Sequence, residues 1–425
     1  VSTSVEQREV EPLAAPPDAT VAVPGSRSIT NRALVCAALA DGTSTLTGVL
    51  DSDDTRAMLG CLTSLGISWR KVDDHTIEVD GSGGAVPAAP EGGTSLHTRL
   101  SGTTSRFVTA MCALGGGDYT IDADGPMRAR PMGDLAQALR QLGVSVDDTD
   151  GHLPITVHGA GLTGGEVELP GDVSSQFTSA LLLIGPCTDV GLDVEVTGAA
   201  KSEPYVEMTR RVMAAFGASP GGSGGYRSAR YAIEPDASTA CYFWAAAAIT
   251  GGTVGVAGLG AASIQGDVAF VDVLERMGCH VERADDSIAV TGPEQLTAVD
   301  VDLGDISDQA PTFAVVAAFA EGTSRASGIG FIRRKESDRI AAVVEGLGRL
   351  GVDAVEESDG FRVIGAAPSG PPHGGRIRTF DDHRIAMSFA LAGLRASGVV
   401  IEDPGCVAKT FPAFFDALDD LRAPS

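Results

Sequence analysis

Residues Pro24–Arg32 read P-G-S-R-S-I-T-N-R and run straight into the small, apolar segment Ala33–Ala40. Gly25 permits a tight turn, and Ser26, Ser28 and Thr30 are all residue types that cap a helix start. Arg27 and Arg32 put two guanidinium groups near that start. Free backbone N–H groups, hydroxyls and arginines together make a place for an anion.

Working outward, the device returns five times. Polar openings precede small-residue helix candidates at Ser28–Arg32, Ser101–Arg106, Ser174–Gln176, Asp236–Thr239, Ser307–Gln309 and Asp381–Arg384. A glycine and a β-type run follow each, at Gly42, Gly117, Gly191, Gly252, Gly322 and Gly398, spaced 75, 74, 61, 70 and 76 residues apart. An amphipathic helix comes next. Five of these end at a hydrophobic-Gly pair, Leu65-Gly66, Leu142-Gly143, Phe216-Gly217, Met277-Gly278 and Leu350-Gly351, as a left-handed C-cap requires. The pattern predicts six copies of a strand-rich α/β unit in two groups of three. The sixth copy lacks its last strand, which the N-terminus around Thr20–Val23 is expected to supply. The first domain is read as 24–234; 1–23 and 235–425 form the second, with the crossing near Ser219–Gly225 and Tyr231–Asp236.

Composition excludes several functions. With 56 acidic against 31 basic residues, the formal net charge is −25, which disfavours nucleic acid and anionic membranes. Seven cysteines with no C-x-x-C pair suit a reducing cytoplasm better than a disulfide framework or a zinc site. The stretch Val1–Glu11 is polar and does not read as a signal peptide, and Ala240–Ile249 is about the most apolar run, too short to span a membrane. Nucleotide, zinc and nicotinamide fingerprints are missing.

The scarce basic residues gather at helix openings, as in Arg128–Pro131, Lys201–Tyr205, Arg333–Arg339 and Lys409–Pro412. That placement predicts pockets for phosphates or carboxylates. Glu336, between Lys335 and Arg339, and Asp308, in an opening with little positive charge nearby in sequence, are the acid–base candidates. His383 follows Asp381 and Asp382, which are positioned to orient its ring. The residues by themselves describe a proton-transfer enzyme for anionic substrates.

Pro24–Arg32, Ser101–Arg106, Arg128–Pro131, V-S-S-Q-F at 173–177, R-K-E-S-D-R at 334–339, D-D-H-R at 381–384 and A-K-T-F-P at 408–412 resemble, in order and over nearly the whole chain, the 5-enolpyruvylshikimate-3-phosphate synthase family. The resemblance implies an α/β fold of two domains, each three βαβαββ units arranged as an inside-out α/β barrel, with the active site in the inter-domain cleft and domain closure on substrates. It implies transfer of the enolpyruvyl group of phosphoenolpyruvate to the 5-hydroxyl of shikimate 3-phosphate in the cytoplasm, by a monomer, with no cofactor and no metal. Arg27, Ser28, Arg32, Ser174, Ser175, Gln176, Ser202, Tyr205, Asp308 and Lys335 would hold shikimate 3-phosphate. Arg27, Gly102, Arg130, Gln176, Arg339, Arg384 and Lys409 would hold phosphoenolpyruvate. Asp308 would act as base at the hydroxyl and Glu336 as proton donor to the methylene, with Lys409, His383 and Arg27 assisting. The chain departs from the family pattern with Arg27 for lysine, Phe331 for asparagine, and G-T-T-S-R-F at 102–107 for G-T-A-x-R-P. These departures raise two alternatives: a paralogue acting on another cyclic hydroxylated acceptor, and an inactive anion binder.

Overall fold

The structure, a computed structural model, describes residues 6–171, 174–198, 203–365 and 370–422. Contacts within the chain fall into two units, one of residues 25–234 and one of residues 1–24 with 235–425.

In the 25–234 unit three helices form the centre: Arg27–Leu39, Gly102–Cys112 and Ser175–Ile184. Ten of the eleven residues of Gly102–Cys112 are buried, and in Ser175–Ile184 every residue from Phe177 onward is. Helices buried on every side form the core of this unit, the polar side chains of Gly102–Cys112 being satisfied by hydrogen bonds such as Thr109 Oγ1 to Ser105 O. The sheets lie around these helices. Thr43–Thr47 pairs antiparallel with Thr76–Asp80, which pairs with Trp69–Asp73. Thr94–His97 runs parallel to Gly116–Asp122 at the edge of a second four-stranded sheet, and Gly165–Pro170 runs parallel to Leu192–Thr197. The chain then returns to the first copy, because Tyr226–Arg227 pairs with Ala40–Asp41 and Arg230–Ala232 with Thr45–Thr47. Tyr231 therefore belongs to a strand of this unit.

The other unit repeats the plan around Ala237–Thr250, Ala310–Ala318 and His383–Gly393. Twelve residues of the first helix and every residue of the other two are buried. The apolar run Ala240–Ile249 is thus a core helix, and among the described residues no helix is long and apolar enough to cross a membrane. The N-terminus supplies two strands. Gln7–Val10 pairs antiparallel with Val399–Glu402 and completes the sixth copy. Asp18–Val21 instead runs parallel to Thr253–Ala257 and opens the fourth. The segment expected to close the sixth copy is therefore ten or so residues too late. Val10 fills that place because it packs against Gly393, where a Cβ would lie 2.5 Å from the valine Cβ.

The five C-cap glycines, Gly66, Gly143, Gly217, Gly278 and Gly351, all have φ between 73° and 104°. The repeat glycines 42, 117, 191, 322 and 398 are left-handed too, but in the fourth copy Gly251 (φ 76°) takes that role, one residue before Gly252. Gly252 is needed for another reason, since a Cβ there would meet Pro17 at 2.3 Å.

Candidate active site

The central helices start differently from those packed around them. In the 25–234 unit Ser26, Ser101 and Ser174 cap the three central helices, accepting from the N–H groups of Ile29, Thr104 and Gln176. None has an acidic residue in its first turn, whereas the outer helices Asp53–Ser64, Gly133–Gln141 and Glu203–Ala215 carry Asp53 and Asp54, Asp134 and Glu203 there. The positive ends of the central helices are left for something else to neutralise.

Basic side chains gather at these starts. Arg32 is 2% exposed, and its guanidinium donates to Thr209 Oγ1 (2.7 Å), Ser28 O (2.9 Å), Ser179 Oγ (3.2 Å) and Tyr205 O (3.3 Å). All four are neutral. Burial pushes its pKa down to about 10, so it remains a cation at neutral pH. A buried cation fixed by neutral acceptors alone has electrostatic room for an anion. Arg27 pairs with Asp54 (2.8 Å), a carboxylate contact with no sequence signal across 27 residues. The Arg130 guanidinium lies over the start of Gly102–Cys112: a Cβ on Gly102 would stand 2.7 Å from Nη1 of both Arg106 and Arg130. Arg106 is fully buried and donates to Gly102 O and Pro131 O, so it braces this loop. Gln176 Nε2 reaches Thr103 Oγ1 (3.4 Å), while its Oε1 is buried without a partner among the described residues. Ser174 and Ser175 are half-buried at the start of their helix, and Tyr205 is on the outer helix Glu203–Ala215. Ser202, Lys201 and Val173, drawn from the motifs, lie outside the described residues.

The second cluster is in the other unit. Among the described residues four cations, Lys335, Arg339, Arg384 and Lys409, meet three carboxylates, Asp308, Glu336 and Asp382. Asp308 receives Arg339 Nη1 at 2.9 Å and Arg384 Nη2 at 2.8 Å, with Lys335 Nζ at 3.8 Å. These partners are 27 to 76 residues away, which corrects the sequence picture of Asp308 as a carboxylate with little positive charge around it. Burial pushes the Asp308 carboxyl up, but Arg384, Lys335 and Arg339 outweigh it and hold the group well below the usual carboxylate range. Glu336 is gripped from both sides, by Arg339 Nη2 (2.8 Å) and Lys409 Nζ (3.0 Å). Arg339 is 1% exposed; burial lowers its pKa, and Asp382, Glu336 and Asp308 more than restore it.

Asp382 caps His383–Gly393 through the Arg384 N–H and also receives Ser337 Oγ and Arg339 Nε. It orients Arg339, a role the D-D-H-R string offered no hint of. His383 is buried beside it. Phe380 and Asp381 approach the cap with φ of 56° and 55°, a strained conformation that the surrounding contacts hold. The opening expected at Ser307–Gln309 is not a side-chain cap. It is a 3-10 turn, Gly304–Gln309, kinked at Ile306 and continuing into Ala310–Ala318, which turns Asp308 toward the cations. The Phe331 ring lies 5.8 Å from Lys335 Nζ, a cation–π contact.

Helix starts stripped of acid, a buried arginine without a counter-ion among the described residues, and carboxylates interleaved with cations define an enzyme-like binder of small, multiply charged anions. Known proteins agree with this class and narrow it. The profile of the EPSP synthase (3-phosphoshikimate 1-carboxyvinyltransferase) family matches residues 14–418. The 3-phosphoshikimate 1-carboxyvinyltransferases of Trichormus variabilis and Nostoc punctiforme are each 44% identical to this chain, over 94% and 96% of it and 95% and 97% of their own lengths. The solved EPSP synthase of Acinetobacter baumannii superposes with a TM-score of 0.81 at 28% identity, covering 98% of both chains. The enolpyruvyl transferase NikO of Streptomyces tendae shares the fold (TM-score 0.77, 99% of this chain and 98% of its own) at 19% identity. The chain belongs to the EPSP synthase family, and the two-domain inside-out α/β fold is its fold. Relatives carrying the synthase name at this identity also tell against the paralogue and the inactive binder that Arg27 and Phe331 had raised.

Proposed function

We propose that this chain transfers the enolpyruvyl group of phosphoenolpyruvate to the 5-hydroxyl of shikimate 3-phosphate and releases phosphate. The reading rests above all on Asp308 and Glu336, each held between two cations within 3.0 Å. Phosphoenolpyruvate carries about three negative charges near neutral pH and suits Arg27, Gly102, Arg130, Gln176, Arg339, Arg384 and Lys409. Shikimate 3-phosphate takes Arg27, Ser28, Arg32, Ser174, Ser175, Gln176, Ser202, Tyr205, Asp308 and Lys335. We take the two units as the two domains.

Asp308 accepts the proton of the acceptor hydroxyl and Glu336 delivers one to the methylene carbon. The hydroxyl oxygen adds to carbon 2; the tetrahedral adduct then returns a methyl proton to the Glu336 carboxylate as the C2–O bond to phosphate breaks, which restores the carbon–carbon double bond. With Arg339 and Arg384 gripping it, Asp308 is a weak base. An anionic substrate that draws those guanidinium groups to itself restores its basicity, so base strength arrives with the substrate. The proton that Glu336 delivers comes from Lys409 Nζ, which donates to Glu336 Oε1 at 3.0 Å. His383 and Arg27 support the two anions. Seven free thiols fit a cytoplasmic protein, and a monomer suffices for this chemistry.

The test is phosphate release with each substrate alone and with both, the product identified by mass. Release that needs both, with the enolpyruvyl adduct formed, is expected. Turnover with a different cyclic acceptor but none with shikimate 3-phosphate would overturn the reading.

A further inference from the structure

Arg333 and Asp338 bracket the four residues that carry Lys335 and Glu336, and neither has a part in the chemistry above. The Arg333 guanidinium donates through Nη1 to both carboxylate oxygens of Asp338 (3.1 and 2.9 Å) and to Glu356 Oε2 (2.8 Å). Its Nη2 donates to the Glu357 carbonyl at 3.1 Å. Asp338 in turn accepts the Ala341 N–H (3.1 Å) and so caps the helix Arg339–Arg349. Glu356 and Glu357 belong to Asp353–Glu357, the outer strand of a four-stranded sheet, which pairs with Gly360–Ile364. One planar group thus joins the 3-10 turn Gly330–Arg334, the start of a helix and the sheet.

The stretch just before Arg333 is fastened to the same hairpin. The Asp359 carboxylate accepts the N–H groups of Gly328 (3.0 Å) and Gly330 (2.8 Å), and the Asp359 carbonyl accepts the Ile329 N–H (3.1 Å). The backbone bond has counterparts in the first and fourth copies, from Val49 N–H to His75 O (2.9 Å) and from Gly258 N–H to Asp286 O (2.6 Å). In the fifth copy, whose loop carries Lys335 and Glu336, the Asp359 carboxylate and the Arg333 fork reinforce it. The side chains of Arg333, Asp338 and Glu356 are 28%, 40% and 42% exposed, and ion pairs that open to solvent contribute little to folding stability. Their effect on geometry is another matter, because a reacting group displaced by roughly 1 Å can slow a reaction about a hundredfold.

We propose that Arg333 is a positioning residue, which clasps the segment 334–337 at both ends and ties it to the strand Asp353–Glu357, so that Glu336 is held where it transfers its proton. This rests on the reading of Glu336 as the proton donor. The Glu336 carboxylate is gripped by Arg339 and Lys409, but those contacts fix only its tip; the backbone that carries it is fixed by the clasp. Arg339 is independent of the clasp, since Asp308 and Asp382 hold its guanidinium directly. Loss of Arg333 should therefore fall on the proton transfer and spare the binding of phosphoenolpyruvate.

The test is phosphate release by the full chain with both substrates, read as kcat and KM, with thermal unfolding alongside. Arg333→Met is expected to lower kcat about tenfold, with the KM for phosphoenolpyruvate within about threefold of the wild type. Its thermal midpoint should stay within about 3 °C. Arg333→Lys returns the charge without the planar fork, so its kcat should lie between those of Arg333→Met and the wild type. Arg334→Gln removes a charge from the adjacent exposed residue, which has no ion pair among the described residues, and should leave kcat within about twofold. Glu356→Gln cuts the clasp from the strand side and should slow kcat by less than Arg333→Met, which serves if Arg333→Met folds poorly. Combining the two should slow kcat no further than Arg333→Met alone, because both act through one contact. A normal kcat in Arg333→Met, an equal loss in Arg334→Gln, a loss confined to the KM for phosphoenolpyruvate, or losses that multiply in the double variant each overturn the proposal. A wild type that releases no phosphate with both substrates present overturns the functional reading itself, and this inference with it.

Discussion

Arg27 stands where the family has lysine, and its guanidinium is tied to Asp54, which is almost fully buried. If Arg27 acts through its charge, Arg27→Lys keeps kcat/KM within about tenfold. Arg27→Ala costs about 2–4 kcal/mol of transition-state stabilisation. It also strands the Asp54 carboxylate, so thermal stability should fall alongside activity. Adding Asp54→Asn should recover the stability and leave the activity low, and recovery of both would mean that Arg27 is structural. Glu336→Gln keeps the shape of the side chain and loses the transferable proton. Single-turnover experiments should show the chemical step slowed far more than substrate affinity; weak binding with intact chemistry would remove Glu336 from the donor role. At Gly102 an added methyl would meet the guanidinium tips of Arg106 and Arg130 at 2.7 Å. Arg130 can give way more readily than the buried, braced Arg106, so Gly102→Ala should displace the Arg130 guanidinium and raise the KM for phosphoenolpyruvate several-fold, with little effect on that for shikimate 3-phosphate.

The helix Arg339–Arg349 shows how element packing positions chemistry. Its first residue is the arginine that touches Asp308, Glu336 and Asp382, and its cap is Asp338. Two glycines in it have opposite surroundings. A Cβ on Gly346 would stand 2.4 Å from Phe389 Cζ of the central helix, whereas one on Gly348 would meet nothing within 4 Å. Gly346→Ala should therefore destabilise by about 1–3 kcal/mol, since Phe389 is fully buried and has nowhere to go. Gly348→Ala should stabilise by about 0.5–1 kcal/mol through helix propensity alone. Urea midpoints that move in the same direction for both would contradict this packing account.

Connectivity makes the two units unequal at the scale of the whole molecule. Residues 25–234 are continuous, and their last strand, Arg230–Ala232, pairs with Thr45–Thr47 inside the unit. The other unit takes Gln7–Val10 and Asp18–Val21 from the far end of the chain. Arg8 pairs with Asp419 at 2.7 Å and Arg422 donates to Pro12 O at 2.9 Å, so its chain ends are adjacent. The fragment 25–234 should fold by itself. Residues 235–425 alone should aggregate, because two strand edges are left open. Joining residues 1–24 after Ser425 through a short flexible linker should restore a cooperative thermal transition. A cooperative transition for 235–425 without them would show those strands to be dispensable.

What the sequence by itself determined was local and periodic. Five of the six openings, with their serine or aspartate caps, and the five left-handed C-cap glycines follow from backbone geometry, which a residue and its near neighbours dictate. The family motifs added the fold and the roster of side chains. Tertiary structure alone decided what those side chains meet. Asp308 reads as a carboxylate with few cations near it and is held by three; Arg27 reads as a guanidinium placed for an anion and is paired to Asp54. The strand completing the sixth copy differs from the expected one for a like reason, since Gln7–Val10 and Asp18–Val21 are both short strands that are told apart by distant contacts such as Val10 against Gly393 and Pro17 against Gly252. Electrostatic fields and close packing depend on distances through space, and the side chains that set them here lie up to several hundred residues apart along the chain.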